Sequence, residues 1–138
     1  MNFEEINYPA VIAAAVASFA LGALWYSPIL FGKAWQKSLG FTDEYLQEGN
    51  MLKIFGTSFL MMLIMAFGMA TLIQGHGDNS INWQSGLWHG LLVGLLFIGT
   101  SMAINILYQR KSLMLWAIDA FYQIIFLGIM GAILGAWH

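Results

Sequence analysis

Four long runs of apolar residues follow one another along the chain, at 8–26, 54–74, 85–107 and 113–137. Runs of this length are too long for strands, and at about 1.5 Å per residue each can cross a hydrocarbon core of roughly 30 Å. In lipid a segment must satisfy its own backbone N–H and C=O groups, so each run is predicted to be a helix. The alternation of polar and apolar positions that marks a membrane barrel is absent. Asn7 ahead of Pro9 suits a helix start. Ser27-Pro28 ends the first run, because the residue before a proline avoids the α region. The expected fold class is all-α: an integral membrane four-helix bundle, one domain over 1–138.

The connections differ. The first is long, that at 75–84 is polar and turn-rich, and that at 108–112 is a tight hairpin. Within the first, Ile29, Leu30, Phe31, Ala34, Trp35 and Leu39 recur near helical spacing, with Lys33, Gln36 and Lys37 between them. This pattern predicts a short amphipathic helix lying in the headgroup plane, inside an interfacial segment over 29–49. Thr42 reads as an N-cap, with Asp43 and Glu44 in the first turn where the helix dipole favours acids.

Charge orients the bundle. All 5 Lys and Arg residues fall in the first connection (Lys33, Lys37, Lys53) or the third (Arg110, Lys111), which share a side. The positive-inside rule then puts both basic loops in the cytoplasm and both termini outside, in the periplasm if the membrane is the inner one of a bacterium. Trp25, Tyr26, Trp35, Tyr108 and Trp116 fall near the inner interface; Tyr8, Trp83, Trp88 and Trp137 fall near the outer one.

Composition narrows the class. Hydrophobic residues are 59% of the 138 and charged residues 9%, against about 45–50% and 25% in soluble domains. Mean hydropathy is +0.71. A soluble enzyme and a disordered chain are both excluded. The net charge of −2 offers no field for nucleic acid, so none is expected as a partner. The absence of cysteine removes disulfides and thiolate chemistry. Glu4 and Glu5 precede the first run in place of the positive region of a signal peptide, so that run is expected to be retained.

Helices in lipid associate through close packing of small residues. Ala14, Ser18 and Gly22 make a stripe on the first span; Gly86, Gly90 and Gly94 on the third; Gly128, Ala132 and Ala136, beside Gly131 and Gly135, on the fourth. Folding the last hairpin about Arg110 sets Gly90 opposite Met130 and Gly86 opposite Leu134. The outer half should close tightly, and any cavity should open toward the cytoplasm. The second span, with Met61, Met62, Met65 and Met69, is expected to face lipid or another subunit. Its methionines read as filler rather than a copper site.

Asp119 is the one charged side chain well inside a span, about six residues or roughly 9 Å from its start. Gln123 lies one turn on. The ideal hairpin sets Ser101 at the depth of Asp119 and Asn105 one turn nearer the cytoplasm, with Tyr108 and Tyr122 at the edge. Ser101, Asn105, Asp119, Gln123 and Tyr122 are therefore the candidate ion- or ligand-binding residues. An ionised Asp at a helix centre costs about 2.5–3.5 kcal/mol on insertion scales. Neutralising one at pH 7 costs roughly 4 kcal/mol. A group balanced so closely suits proton coupling or cation binding. The bland alternative is an acid that glues the third helix to the fourth.

His76, His89 and His138 share the outer side with Asp78, but their spacing matches no metal motif and they read as interfacial or loop residues. No metal or cofactor is expected. No phosphate loop, nucleophile elbow, zinc-protease motif or paired catalytic carboxylate is present, so no enzymatic activity is expected.

Leu21-Gly22-Ala23-Leu24-Trp25-Tyr26-Ser27-Pro28, followed by Leu30-Phe31-Gly32-Lys33-Ala34-Trp35, resembles the opening signature of the bacterial membrane proteins grouped as domain of unknown function 1761. Ala103 with Asn105, Ile118-Asp119 with Tyr122, and the closing Gly131-Ala132-Ile133-Leu134-Gly135-Ala136-Trp137 resemble its later pattern. The resemblance implies a small bacterial inner-membrane protein of four helices, and it supplies no activity, substrate or catalytic residue. The leading functional expectation is a small transporter or channel-like homo-oligomer with Asp119 as its proton or ion site. The alternative is a non-transporting membrane scaffold that binds a partner. A weaker third reading is a binder of an amphiphilic ligand, which needs a pocket of about 300 Å³.

Overall fold

In a computed structural model, which describes residues 2–76 and 80–138, all regular structure among the described residues is helical. Helix α1 spans Tyr8–Trp25, α2 Gly32–Leu39, α3 Asp43–Gln47, α4 Met51–Gln74, α5 Trp83–Val93, α6 Thr100–Gln109 and α7 Leu113–Ala136. A π-helical segment, Gly94–Gly99, joins α5 to α6 without a break. Four stretches are long and apolar enough to cross a membrane: α1, α4, the continuous rod Trp83–Gln109, and α7.

Side-chain caps set the helix starts. Asn7 accepts from the Ala10 N–H, Asn50 from Lys53 and Ser112 from Leu115. Asn82 and Ser85 cap α5 reciprocally. Each cap satisfies an N–H that the helix itself leaves unpaired. The Asn50 cap starts the second span at Met51, three residues before the apolar run. Thr42 accepts from the Tyr45 N–H and starts α3, so the first connection holds two short helices divided at Gly40, which is left-handed with φ +68°. Arg110 turns the last hairpin in the left-handed region at φ +54°.

Helix α7 is the centre of the bundle. Just over half of its most apolar window is buried, against about a fifth or less in α4 and in Trp83–Gln109. It packs on α5 along one flank and on α1 along another, and α4 lies mainly against α1. Phe126, Leu127, Met130 and Ser18 are the largest fully buried side chains.

Glycine lets α5 and α7 touch backbone to backbone. A Cβ at Gly86 would collide with the Gly131 carbonyl, one at Gly90 with the Leu127 carbonyl, and one at Gly135 with the Asn82 carbonyl. The contact line on α7 is Ile124, Gly128, Gly131, Gly135, rather than the expected Gly128, Ala132, Ala136. Positions 3.6 residues apart stay on one face, whereas a strict spacing of four drifts off it. Gly90 consequently meets Leu127 and Gly128 instead of Met130.

One further expectation is corrected in part. Most of α4 is uncovered and Met61 is exposed, but Met69 is buried with Ala66, Ala70 and Ile73, and Met62 and Met65 pack against the core, so three of these four methionines turn inward. The least covered rod is Trp83–Gln109, where Leu92, Leu95, Leu96, Phe97, Ile104 and Leu107 are exposed.

Candidate functional site at the basic end

Both basic connections lie at one end of the bundle, and there the end of α1 meets the start of α7. Ser27-Pro28 stops α1, leaving Tyr26 at its C-cap. The chain then doubles back. The Leu30 and Gly32 N–H groups donate to the Ser27 carbonyl at 3.1 and 3.0 Å, and the Phe31 N–H donates to the Trp25 carbonyl at 3.0 Å. A side chain on Gly32 would strike the carbonyls of Tyr26 and Ser27, so only glycine permits this turn. The turn sets α2 against α7 and places Trp35 edge-on to the Tyr26 ring, with centroids 5.7 Å apart.

Tyr26 is thereby aimed at Asp119. Its hydroxyl donates to Asp119 Oδ1 at 2.6 Å, a length usual for a hydroxyl on a carboxylate. Trp25 donates its indole N–H to the Ile118 carbonyl at 3.0 Å, one residue before Asp119. Tyr122, one turn deeper than Ile118, stacks edge-on against Tyr26 with centroids 5.3 Å apart, and donates its hydroxyl to the Ser18 carbonyl at 2.9 Å. Gly22 makes room for that hydroxyl, which would lie 2.5 Å from a Cβ there. Asp119 itself is partly buried. The arrangement can hold a proton or a small cation at a carboxylate bonded to the Tyr26 hydroxyl, whose ring is packed between Trp35 and Tyr122.

The predicted residues separate into two groups. Asp119 and Tyr122 belong to this site, with Tyr122 as a buried strut rather than an edge residue. Ser101 and Asn105 lie exposed on α6, and among the described residues neither hydrogen-bonds to Asp119. Gln123 sits one turn beyond Asp119, partly buried, with no side-chain partner among the described residues. Tyr108 is 87% exposed.

The cause is the π segment. A π turn carries more residues than an α turn, so every side chain beyond it is rotated, by about 100° per extra residue, from where an ideal helix would set it. Beyond Gly99 the rod touches α7 only sparsely. The Trp116 indole donates to the Gly99 carbonyl at 2.9 Å, and the Thr100 hydroxyl donates to the Leu96 carbonyl at 2.7 Å. These bonds occupy carbonyls at the π turn, as a helix in lipid requires.

The sequence pattern does not pair Tyr26 with Asp119, nor place Trp25 and Trp35 around that pair. The available signal was depth, since Tyr26 ends the first span at the same end at which Asp119 begins the fourth. A cavity of about 360 Å³ also lies away from expectation. It sits at the far end, lined by residues including Glu5, Asn7, Gln74, Leu134, Trp137 and His138. Tight backbone closure lies between α5 and α7, and the cavity lies where α1 begins and where α4 and α7 end. Two of the three histidines, His76 and His89, meet at this far end; Asp78 lies outside the described residues.

Compared with known proteins, residues 9–135 match the family model described as "Protein of unknown function (DUF1761)". No curated protein and no solved structure matches the chain.

Proposed function

The chain belongs to the DUF1761 family, described only as of unknown function, and we propose from its geometry that it is a small inner-membrane transporter or channel-like protein in which Asp119 carries a proton or small cation. The observation that supports this reading is the 2.6 Å bond from the Tyr26 hydroxyl to Asp119. It couples a partly buried carboxylate to a turn that glycine, proline and aromatic residues jointly shape. An acid within a span is costly unless it serves a path or a permanent contact. Here its hydrogen-bond partner is a neutral phenol hydroxyl rather than a basic side chain. In this reading the basic end faces the cytoplasm, both termini lie in the periplasm, α2 and α3 rest in the interface, and the protein is not an enzyme.

One bundle of four helices has little room for a path, so the working unit is a homo-oligomer in the bilayer. The uncovered flank of Trp83–Gln109, which carries Ser101 and Asn105, is the surface such an assembly would use. The same flank supports the second reading, a non-transporting scaffold that docks a partner.

Proton or cation flux into proteoliposomes separates the two. Wild type should exceed empty vesicles, Asp119→Asn should fall to the vesicle background, and Tyr26→Phe should retain flux with an altered pH profile. Equal flux in wild type and Asp119→Asn, or none above background, would leave the scaffold reading.

A further inference from the structure

At the far end, His76 just beyond α4 meets His89 on α5. Their Nε2 atoms are 3.1 Å apart, and the ring centroids are 4.4 Å apart at an interplanar angle of 77°. The other nitrogen of each ring faces a backbone carbonyl. His76 Nδ1 lies 2.9 Å from the Leu72 carbonyl oxygen, and His89 Nδ1 lies 2.6 Å from that of Ser85. A carbonyl oxygen only accepts, so both Nδ1 atoms carry a hydrogen and donate it. A neutral imidazole protonated at Nδ1 has a bare lone pair at Nε2. Two lone pairs therefore face each other across 3.1 Å, and no hydrogen bond between neutral rings can form there. The gap calls for a cation.

We propose that His76 and His89 form a two-nitrogen site for a transition-metal ion of the Zn²⁺, Ni²⁺ and Cu²⁺ class, which clips the end of α4 to α5. Metal–nitrogen bonds of about 2.0–2.1 Å at a tetrahedral angle set two ligand nitrogens about 3.4 Å apart, within a few tenths of an ångström of the spacing here. An Nδ1–H held by a carbonyl is the outer-shell contact that fixes the tautomer and aim of a ligating histidine, and both rings have one. Imidazole selects these metals over Mg²⁺ and Ca²⁺. Among the described residues no third ligating side chain converges on the pair. The clip also has a mechanical purpose, because α4 and α5 otherwise barely touch. The site stands apart from Asp119 and is independent of the transport reading.

The test uses the full chain without an affinity tag, in detergent, titrated with ZnCl₂ at pH 7.5. Bound zinc and thermal unfolding are read together for wild type, His76→Gln, His89→Gln and the control His138→Gln, a third ring whose Nδ1 likewise faces a carbonyl, that of Gly135, but which lies outside the pair. Wild type should hold about one Zn²⁺ per chain and gain several degrees in Tm, and MgCl₂ should do neither. Affinity should fall at least tenfold in His76→Gln and in His89→Gln and stay unchanged in His138→Gln. Lowering the pH to 5 should release the metal, since ligating imidazoles must be unprotonated. The proposal is overturned by a wild type that shows no zinc-dependent shift, or by zinc binding that survives in either variant. It is also overturned if the metal-free chain gains stability through these two residues as the pH falls, which would make the occupant a proton.

Discussion

The rod Trp83–Gln109 meets one partner, α7, in two different ways. Its far half is bare backbone: Gly86 and Gly90 are buried against the Gly131 and Leu127 carbonyls, and Gly94 lies against Ile124. Its basic half carries larger side chains, yet none of α6 is buried, and the Trp116 indole on the Gly99 carbonyl is the side-chain bond that ties it to α7. Both halves are apolar. What separates them is whether backbones can approach, and in lipid, where apolar contact with a neighbour gains little over contact with a tail, approach decides association.

The largest effect should come from closing that approach. Gly90→Ala places a methyl on the Leu127 carbonyl, a backbone group that cannot rotate away. Forcing such overpacking costs about 3 kcal/mol. Equilibrium unfolding in mixed micelles measures it, and Gly86→Ala should behave alike. Ala at Ser101, in the exposed half, should stay within about 0.5 kcal/mol of wild type. Similar losses in both halves would erase the distinction.

The next effect sharpens the comparison at Asp119, which lies where the rod has moved off. A double-mutant cycle between Tyr26→Phe and Asp119→Ala should give a coupling of about 1 kcal/mol, the scale of hydrogen bonds between membrane helices. The cycle between Asn105→Ala and Asp119→Ala should give a coupling near zero. The reverse result would restore a contact between α6 and α7 at this depth.

Those two cycles also mark what could be read from the residues alone. The four long helices, the cap of the first at Asn7, the cap of short α3 at Thr42, and the glycine closure between the third and fourth spans follow from periodicity and residue size. The choice of Asp119 follows from the cost of charge in hydrocarbon. Its partner does not follow, because hydropathy tells which segments cross and leaves open which cross side by side. Asn105 is the expected neighbour only if the third span is one ideal α-helix. The wide turn at Gly94–Gly99 has no compositional mark apart from its two glycines, and it rotates everything beyond it. Tyr26 was hidden differently, since a tyrosine at the end of a span is the usual sign of an interface and gives no hint that its hydroxyl is already engaged.

The smallest effect concerns glycines that resemble Gly90 in the sequence and differ from it in space. A methyl at Gly56 or Gly68, both on α4, meets nothing within 4 Å. In water, Ala in a helix interior outdoes Gly by about 0.8–1 kcal/mol, mainly because glycine loses more freedom on ordering. In a bilayer the helix is held more firmly before the bundle assembles, so about half of that should survive. Gly56→Ala and Gly68→Ala should each therefore stabilise by about 0.5 kcal/mol, opposite in sign to Gly90→Ala. The measurement is the same micelle unfolding, repeated at two protein concentrations. A loss of 1 kcal/mol or more at Gly56 that grows with concentration would mean that a second chain packs on that face as closely as α7 packs on α5. The contrast drawn within one rod would then extend to the outside of α4, and the assembly would be built on that helix rather than on the flank of Ser101 and Asn105.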